Sequence, residues 1–344
     1  MIDLLIAGGG PAGLATAIHG ALAGMEAVVL EPRATPIDKA CGEGLMPGGL
    51  RRLAELGVSV PGRPFRGIRY LDGVTGRQAE GLFRAGPGLG ARRTDLQAAL
   101  AERAAALGVR VLPRRVEEVR QDEHRVAAAG LTARYLVAAD GLHSPVRRGL
   151  GLSAPPVRGR PARYGLRRHH DAEPWSDLVE VYWSARCEAY VTPLAPGRIG
   201  VAVLTSEQAP FDTQLARFPL LAERLRGASG GPVRGAGPLR QRARTRVAGR
   251  VLFVGDAAGY VDALTGEGLT LALTAAGELV RCVRAGRPEA YERAWRELSR
   301  GYRALTGSRG WGRAGRPRAP RPPTAGPGPR APPPPAPPRP RPPP

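Results

Sequence analysis

Residues 1–33 read MIDLLIAGGGPAGLATAIHGALAGMEAVVLEPR, and they decide the fold that we expect. The apolar run IDLLIA stops at a glycine and is typical of a strand buried on both faces of a parallel sheet. PAGLATAIHGALAGM follows with small and apolar residues at helical spacing, and EAVVLE is a second short apolar run. Strand, glycine turn, helix and strand in this order predict the dinucleotide-binding unit of an α/β protein.

The glycines of this turn and the acid that follows have separate physical roles. Gly8 permits the tight turn, Gly10 lets the backbone approach a pyrophosphate, and Gly13 lets the helix pack closely on the strand. The pyrophosphate would then lie at the helix N-terminus, where backbone N–H groups are free. Glu31 ends the second strand and is placed to accept hydrogen bonds from ribose hydroxyls.

The charge of the chain does not indicate a nucleic-acid partner. The 344 residues carry a formal net charge of +21, but Lys39 is the only lysine among the 51 basic residues. This excess of arginine, together with abundant alanine, glycine and proline, is typical of a GC-rich genome. The arginines are scattered and no stripe of basic and aromatic residues accompanies them, so we expect no nucleic-acid binding.

The cysteines and the N-terminus restrict the protein class further. Cys41, Cys187 and Cys282 lie far apart and form no CxxC pair, so neither a disulfide framework nor a metal site is expected. The N-terminus lacks a basic region followed by a cleavable apolar run, and no long apolar stretch occurs. We therefore expect a cytoplasmic protein without a transmembrane segment. Peripheral membrane contact and the oligomeric state stay open.

Two further motifs indicate which dinucleotide is bound. Residues 133–152, ARYLVAADGLHSPVRRGLGL, are an apolar strand that ends in Asp140-Gly141. Residues 249–273, GRVLFVGDAAGYVDALTGEGLTLAL, are another strand that ends in Gly255-Asp256 and a second glycine turn. With the first turn, they resemble the three ordered fingerprints of the FAD-dependent aromatic hydroxylases and the related geranylgeranyl reductases. The resemblance covers roughly residues 1–305 and implies a tightly bound FAD.

The resemblance assigns cofactor contacts residue by residue. It implies that the first glycine turn holds the pyrophosphate, Glu31 the adenosine ribose and Asp256 the ribityl-pyrophosphate region, while Arg93 meets the cofactor. The complete set of expected cofactor-binding residues is Gly8, Gly10, Pro11, Ala12, Gly13, Glu31, Arg33, Arg93, Val116, Asp140, Gly255, Asp256, Gly268 and Leu269.

The turn LTGEGL has its own chemical role. A reduced flavin carries negative charge near N1 and O2, and the free N–H groups of Gly266, Glu267, Gly268 and Leu269 at a helix start are expected to stabilise it. We therefore count the first three among the expected catalytic residues. Ala263 stands where members of the family usually have proline, which predicts a less rigid loop.

Residues 38–50, DKACGEGLMPGGL, resemble the flavin-facing loop of the geranylgeranyl-reductase branch. Its glycines would let the backbone pass close to the flavin ring. Cys41 is the remaining expected catalytic residue, as a proton donor or a substrate contact. The alternative is that Cys41 is a small buried apolar residue.

The chain is expected to divide into an FAD-binding domain, an inserted domain and a tail. Residues 1–150 and 245–306 would form the Rossmann-like FAD-binding domain, and residues 151–244 an antiparallel β-sheet substrate domain. Residues 307–344 hold 16 of the 36 prolines and eight arginines without an acid, which predicts a disordered tail. We interpret this tail as the product of a frame-shifted or truncated reading frame. His169 and His170 are expected in an exposed basic loop, not in a metal site.

Three functions fit this sequence. The first is an NAD(P)H-dependent monooxygenase that hydroxylates a small organic substrate through a flavin C4a-hydroperoxide. NAD(P)H would dock transiently, because no second GxGxxG follows a strand. The alternatives are a geranylgeranyl-reductase-like, FAD-dependent reductase of C=C bonds, and a truncated, inactive flavin-binding remnant.

Overall fold

A computed structural model describes residues 1–156, 159, 161–260 and 266–307, with backbone alone for 302–307. The strands are β1 (Ile2–Ala7), β2 (Ala27–Leu30), β3 (Gly44–Leu45), β4 (Arg63–Phe65), β5 (Gly67–Asp72), β6 (Gln78–Leu82), β7 (Gly88–Gly90), β8 (Arg110–Leu112), β9 (Val119–Gln121), β10 (Val126–Ala128), β11 (Leu131–Ala138), β12 (Tyr164–His170), β13 (Val179–Trp183), β14 (Cys187–Ala195), β15 (Arg198–Thr205), β16 (Arg234–Ala236), β17 (Gln241–Arg242), β18 (Val247–Ala248), β19 (Val251–Phe253) and β20 (Gly259–Tyr260). The α-helices are α1 (Pro11–Leu22), α2 (Pro47–Glu55), α3 (Arg93–Ala106), α4 (Pro145–Gly149), α5 (Phe211–Leu215), α6 (Pro219–Arg224), α7 (Gly268–Arg284) and α8 (Ala290–Gly307), and a 3₁₀ turn spans Gly255–Ala258.

The first sheet confirms the dinucleotide-binding unit. Strands β19, β11, β1, β2 and β8 run parallel in that spatial order, and β18 and the β9–β10 hairpin add antiparallel pairs. The apolar run of β1 is buried at almost every position, as expected for a strand covered by helices on both faces. Helix α1 returns the chain so that β2 pairs parallel with β1.

Helices cover this sheet. Helix α1 packs against α3 and α7, and α7 also packs against α8. Helix α8 is anchored by Tyr291 and Trp295, which are both buried. The Tyr291 hydroxyl donates to the carbonyl oxygen of Phe253 in β19 at 3.1 Å, and the Arg246 guanidinium lies 3.8 Å from the ring centroid of Trp295. Helix α8 therefore contributes to the main hydrophobic core.

The second sheet contains seven strands in the order β16, β12, β15, β14, β13, β5 and β6. Its central hairpins are antiparallel, as predicted for the substrate sheet, whereas β13 and β5 pair in parallel. Strands β5 and β6 come from residues 67–82, within the segment that the sequence analysis assigned to the FAD-binding domain. The sheet therefore extends beyond residues 151–244, because β5 crosses over to the free edge of β13.

The two sheets meet where the parallel strands end. The residues just after β1, β11 and β19 lie at the carboxyl edge of the first sheet, the usual ligand site of open α/β sheets. Ala263 and the proline-rich tail, except Gly307, lie outside the described residues. Within the described part of the chain, no helix combines the length and apolar character needed to cross a membrane.

Candidate functional site

A cavity of about 360 Å³ runs from the first glycine turn to the second sheet. Most of the predicted site residues line it. They are Gly10, Pro11, Ala12, Arg33, Cys41, Arg93, Asp140, Gly255, Asp256, Gly266, Gly268 and Leu269. Gly10 and Leu269, which are 259 positions apart in the chain, therefore line one cavity, which is large enough to admit a ligand.

The first turn has the geometry of a phosphate cradle. Gly8 has φ of +111°, and a Cβ there would lie 2.5 Å from the carbonyl oxygen of Ala139. A Cβ on Gly13 would lie only 1.9 Å from the carbonyl oxygen of Gly8. The absence of side chains at Gly8 and Gly13 thus lets α1 pack closely on the end of β1. Neither glycine lines the cavity itself. Helix α1 starts after Gly10 with no side-chain cap, which leaves its first N–H groups for a ligand.

Glu31 lies directly behind this turn. Its side chain is 3% exposed, and it accepts hydrogen bonds from the Gly9 N–H at 2.9 Å and from the Arg33 guanidinium at 2.8 Å. Burial alone would raise the pKa of Glu31, but the hydrogen bonds from Arg33 and Gly9 outweigh it and lower the pKa. Arg33, rather than Glu31, reaches the cavity wall. The contact of Glu31 with a ribose stays a prediction.

Val116 has a different position from the other predicted cofactor residues. It is 7% exposed and belongs to the main hydrophobic core, and it does not line the cavity. Glu267 is exposed at the N-terminus of α7, and only its neighbours Gly266 and Gly268 line the cavity. Residues 261–265, which precede them, are outside the described chain.

The two later motifs are joined by Arg147. This side chain is 1% exposed, and its guanidinium donates to the carbonyl oxygens of Ala257 and Leu142, each at 2.8 Å. Ala257 follows Gly255-Asp256 and Leu142 follows Asp140-Gly141, so one guanidinium connects both motifs. Arg147 lies within residues 133–152, but no role could be predicted for it, because no local pattern shows which carbonyl oxygens a buried arginine contacts.

Lys39 and Asp256 both line the cavity and form an ion pair there. Their Nζ and Oδ2 atoms lie 3.3 Å apart, and both side chains are 35% exposed. The only lysine of the chain thus stands at the cavity, a residue that the sequence analysis noted only for its rarity. The carboxylate of Asp256 therefore has the Lys39 ammonium group as a partner that does not depend on a cofactor.

Cys41 lines the cavity between the first turn and the second sheet. Its Sγ accepts a hydrogen bond from the backbone N–H of Glu43 at 3.4 Å. Burial raises the pKa of the Cys41 thiol most strongly. Arg93 lowers it and the carboxylate of Glu43 raises it, while the backbone N–H of Glu43 and the charge of Arg167 lower it by smaller amounts. The net pKa is raised, so Cys41 is a neutral thiol at neutral pH.

Several polar groups at the cavity are suited to bind FAD. Arg93 lies over the first turn, with its Nη2 3.8 Å from a Cβ built on Gly10, and its buried Nε has no hydrogen-bond partner. Asp140 Oδ1 is also buried without a partner, and burial raises the pKa of this carboxyl group. Together with the uncapped N-terminus of α1, these groups offer donors to a pyrophosphate and one acidic group to the rest of the cofactor.

The two histidines are not in an exposed loop, and that expectation was wrong. They end β12, where the pairing with β15 and the side chains of the second sheet cover them. His169 is 15% exposed and its Nε2 lies 2.7 Å from Glu43 Oε2, while His170 is 5% exposed. Residues 167–170 are all polar, which is unusual for a buried strand. They fit into β12 because Arg167 and His169 pair with the acids Asp38 and Glu43 from another segment. Among the described residues, no cluster of His, Cys, Asp and Glu suits a metal ion.

Substitution of His170 is expected to change the dependence of stability on pH. Both ring nitrogens of His170 are buried without a hydrogen-bond partner. Burial, followed by the charge of Arg168, lowers the pKa of His170 from its ordinary value of 6.5, although Asp212 and Asp171 partly oppose this. Because the unfolded chain binds a proton that the folded chain refuses, stability falls as pH drops below 6.5, by up to about 1.4 kcal/mol per pH unit.

His170→Leu should therefore lose less stability than the wild type between about pH 7 and about pH 5 in urea unfolding. His124→Gln is the matched control, because His124 is exposed in the turn after β9. Equal pH slopes for the wild type and His170→Leu would show that His170 is protonated in the folded protein.

This architecture defines a class: a flavoprotein in which a dinucleotide-binding sheet and a second, mostly antiparallel sheet share a cavity. A family model described as an FAD binding domain matches residues 1–185. The chain therefore belongs to the FAD-binding-domain family and is an FAD-dependent oxidoreductase.

Three relatives are similar to this chain over most of its length. A menaquinone reductase of Mycolicibacterium smegmatis is 29% identical over 86% of this chain and 80% of its own. A digeranylgeranylglycerophospholipid reductase of Methanothermobacter thermautotrophicus is 28% identical over 78% of this chain and 73% of its own. A rifampicin monooxygenase of Streptomyces venezuelae is 30% identical over 79% of this chain and 62% of its own. The crystal structure of a flavoprotein/dehydrogenase from Cytophaga hutchinsonii has the same fold, with a TM-score of 0.78 at 19% identity over 91% of this chain and 86% of that one.

Proposed function

We propose that this protein is a reductase that uses FAD to saturate a C=C bond of an apolar, isoprenoid-like substrate, with NAD(P)H as the electron donor. The observation that carries the proposal is the position of Cys41. Its neutral thiol lies in the wall of the cavity that residues of the three flavin motifs also line. Reduction of a C=C bond needs a hydride and a proton, and a neutral thiol is suited to give the proton.

The second sheet gives the cavity an apolar end. Its walls there are formed mainly by side chains that offer no charge to a substrate, although Arg167 of β12 also lines the cavity. They are Leu166, Val179, Tyr190, Ala202, Val203, Leu204, Ala236 and Leu239. A substrate whose reacting part is a hydrocarbon chain would bury its surface against these side chains, and that burial would favour binding.

Different residues of this chain would bind the cofactor, position the loops around it and donate the proton. The N-terminus of α1 and Arg93 would hold the pyrophosphate, and Arg147 would keep the loops at Asp140 and Asp256 in position. When bound, FAD supplies the hydride that NAD(P)H first delivers to it. Cys41 would release its proton from Sγ to the other carbon of the double bond and take a replacement from solvent, so that two hydrogens are added in total.

The relatives support this choice over the monooxygenase that the sequence analysis put first. Two of the three relatives named above are reductases, and their names carry a prenylated quinone or geranylgeranyl chains. The monooxygenase stays the second candidate, supported by the rifampicin monooxygenase. A small-molecule substrate is common to both proposals.

Product mass separates the candidates. The purified protein with its FAD, reduced without oxygen by NADH or NADPH, would be mixed with a menaquinone or a geranylgeranyl lipid. The expected result is a product formed without oxygen that stays heavier by two hydrogens after re-oxidation in air, because a quinol formed on the quinone ring has the same added mass but reverts to the quinone. A product heavier by one oxygen atom, formed only in air with consumption of NAD(P)H, would support the monooxygenase instead. Neither product, with reduced flavin left unreacted, would favour the inactive remnant.

Cys41→Ala should slow the saturation of the double bond by about 10²- to 10⁴-fold, the usual contribution of a positioned proton donor. FAD content should stay unchanged, because the thiol is not among the groups that hold the pyrophosphate. The measurement is single-turnover oxidation of the reduced protein by the substrate. Cys282→Ala is the matched control, since Cys282 is a free cysteine buried in the main core and absent from the cavity wall. Equal rates for both variants would exclude Cys41 as the donor.

A further inference from the structure

Glu43 has an unusual backbone conformation for its residue type. Its φ is +59°, and among the described residues only Ala129 is another non-glycine residue with positive φ. Ala129 lies in the turn between β10 and β11, where positive φ is ordinary, but Glu43 lies between Gly42 and Gly44, two residues from Cys41. A left-handed conformation is unfavourable for a non-glycine residue and is often found at functional sites.

The carboxylate of Glu43 explains how this conformation is held. The side chain is 1% exposed, and Oε1 accepts from the backbone N–H of Arg93 at 2.9 Å. Oε2 lies 2.7 Å from Nε2 of His169. The backbone N–H of Glu43 donates to Cys41 Sγ. One residue thus ties the cysteine to the start of α3 and to β12 of the second sheet.

The hydrogen bonds define the form of His169. Its Nδ1 lies 3.3 Å from an Nη1 of Arg167, and a guanidinium can only donate. Nδ1 therefore accepts, and the ring hydrogen is on Nε2, from which it is donated to Glu43. Arg167 also lies 4.0 Å from Glu43 Oε1 and pairs with Asp38. The carboxylate is consequently oriented by three separate groups.

Two arginines and one carboxylate, from three different segments, act on the charge state of the Cys41 thiol. Arg93 approaches from the start of α3 and Arg167 from β12, and each favours the thiolate. Glu43, on the same loop as Cys41, is the carboxylate that opposes them. If its charge were removed, Arg167 would keep its ion pair with Asp38, but the carboxylate that opposes the effect of both arginines on Cys41 would be lost.

We propose that Glu43 is a positioning residue whose carboxylate, held by the Arg93 N–H and by His169, fixes the Cys41 loop and places a negative charge on that loop in front of two arginines. The importance of a protonated thiol rests on the proposed function, in which Cys41 gives a proton. The carboxylate itself does not touch the substrate. Its effect is electrostatic and is transmitted through its position beside Cys41.

The pH dependence of Cys41 alkylation tests this proposal directly. Iodoacetamide would be applied to the protein with its FAD and without substrate, and the Cys41 peptide followed by mass spectrometry, which separates it from Cys187 and Cys282. Glu43→Gln should move the midpoint of the profile down by about one pH unit, because loss of a neighbouring negative charge favours the thiolate. An unchanged midpoint in folded, FAD-containing protein would overturn the proposal.

A second pair of variants separates charge from shape. Asp and Asn both tolerate positive φ and have the same size, so Glu43→Asp and Glu43→Asn differ essentially in charge. The aspartate variant should keep a midpoint near that of the wild type, and the asparagine variant should shift down as Glu43→Gln does. Equal midpoints for this pair would overturn the proposal. So would failure of both carboxamide variants to fold, since Glu43 would then be a purely structural residue.

The alkylation result does not depend on which reaction the protein catalyses. If the midpoints shift as expected but Cys41→Ala keeps full C=C reduction, the electrostatic role of Glu43 stands and the proton-donor role of Cys41 is wrong. If the midpoints do not shift and Cys41→Ala loses the reaction, the proposed function stands without Glu43.

Discussion

Arg147→Met should remove most of the stability of the protein together with its FAD. The guanidinium is buried and donates to two carbonyl oxygens at 2.8 Å, and weaker contacts reach Gln241, Ser153 and the Asp256 carbonyl. Methionine has a similar length but no donor. Each buried carbonyl left without a partner costs about 1–3 kcal/mol, so loss of both hydrogen bonds costs about 2–6 kcal/mol.

The neighbouring arginine supplies the control for this experiment. Arg148 is exposed on the same helix α4, so Arg148→Met should change the free energy of unfolding by no more than about 0.5 kcal/mol. Urea unfolding and the FAD retained per chain after gel filtration are the two measurements. If Arg147→Met keeps both at wild-type values, the carbonyls of Leu142 and Ala257 do not depend on the guanidinium.

Gly13→Ala should abolish FAD binding. The added Cβ would lie 1.9 Å from the carbonyl oxygen of Gly8 and 3.2 Å from the Cβ of Ala139, so it meets the end of β1 and the residue after β11. The closest of these is backbone that cannot move aside as a flexible side chain does. Helix α1 must shift away from β1, which costs about 1–3 kcal/mol as overpacking and displaces the N–H groups that would face the pyrophosphate.

Gly301→Ala is the matched control, because the same single methyl group is added in the exposed part of helix α8, where no atom lies within 4 Å of the new Cβ. Alanine in a helix interior is more favourable than glycine by about 1 kcal/mol, so this variant should be slightly more stable. FAD titration and thermal unfolding of both variants test the prediction. Normal FAD affinity in Gly13→Ala would show that the turn can rearrange without loss of the cofactor.

The local part of the site could be predicted from the sequence. The strand, turn and helix at the N-terminus depend on apolar periodicity and on glycines within a few residues of each other, and such short-range patterns are expressed in the same form in the folded chain. The strands before Asp140 and Asp256 were found in the same way. The order of the three motifs then predicted FAD, and the family match confirms it.

Other predictions failed or were not made because they depend on segments far apart in the chain. The histidine pair was placed in a loop, yet His169 meets Glu43 across 126 positions. Strands β5 and β6 were assigned to the first domain, although their pairing partner β13 follows about a hundred residues later. No local pattern encodes which edge a short strand joins, since pairing depends on the sheets already formed.

The sequence by itself determined the dinucleotide-binding unit, the three motifs and the cofactor, because each depends on the conformational preferences of neighbouring residues. Only the tertiary structure decided the chemical state of Cys41. Its thiol is kept neutral by burial and by Glu43, against arginines that come from α3 and β12. Electrostatic effects act through distance in space, and distances in space between such segments exist only once the chain has folded.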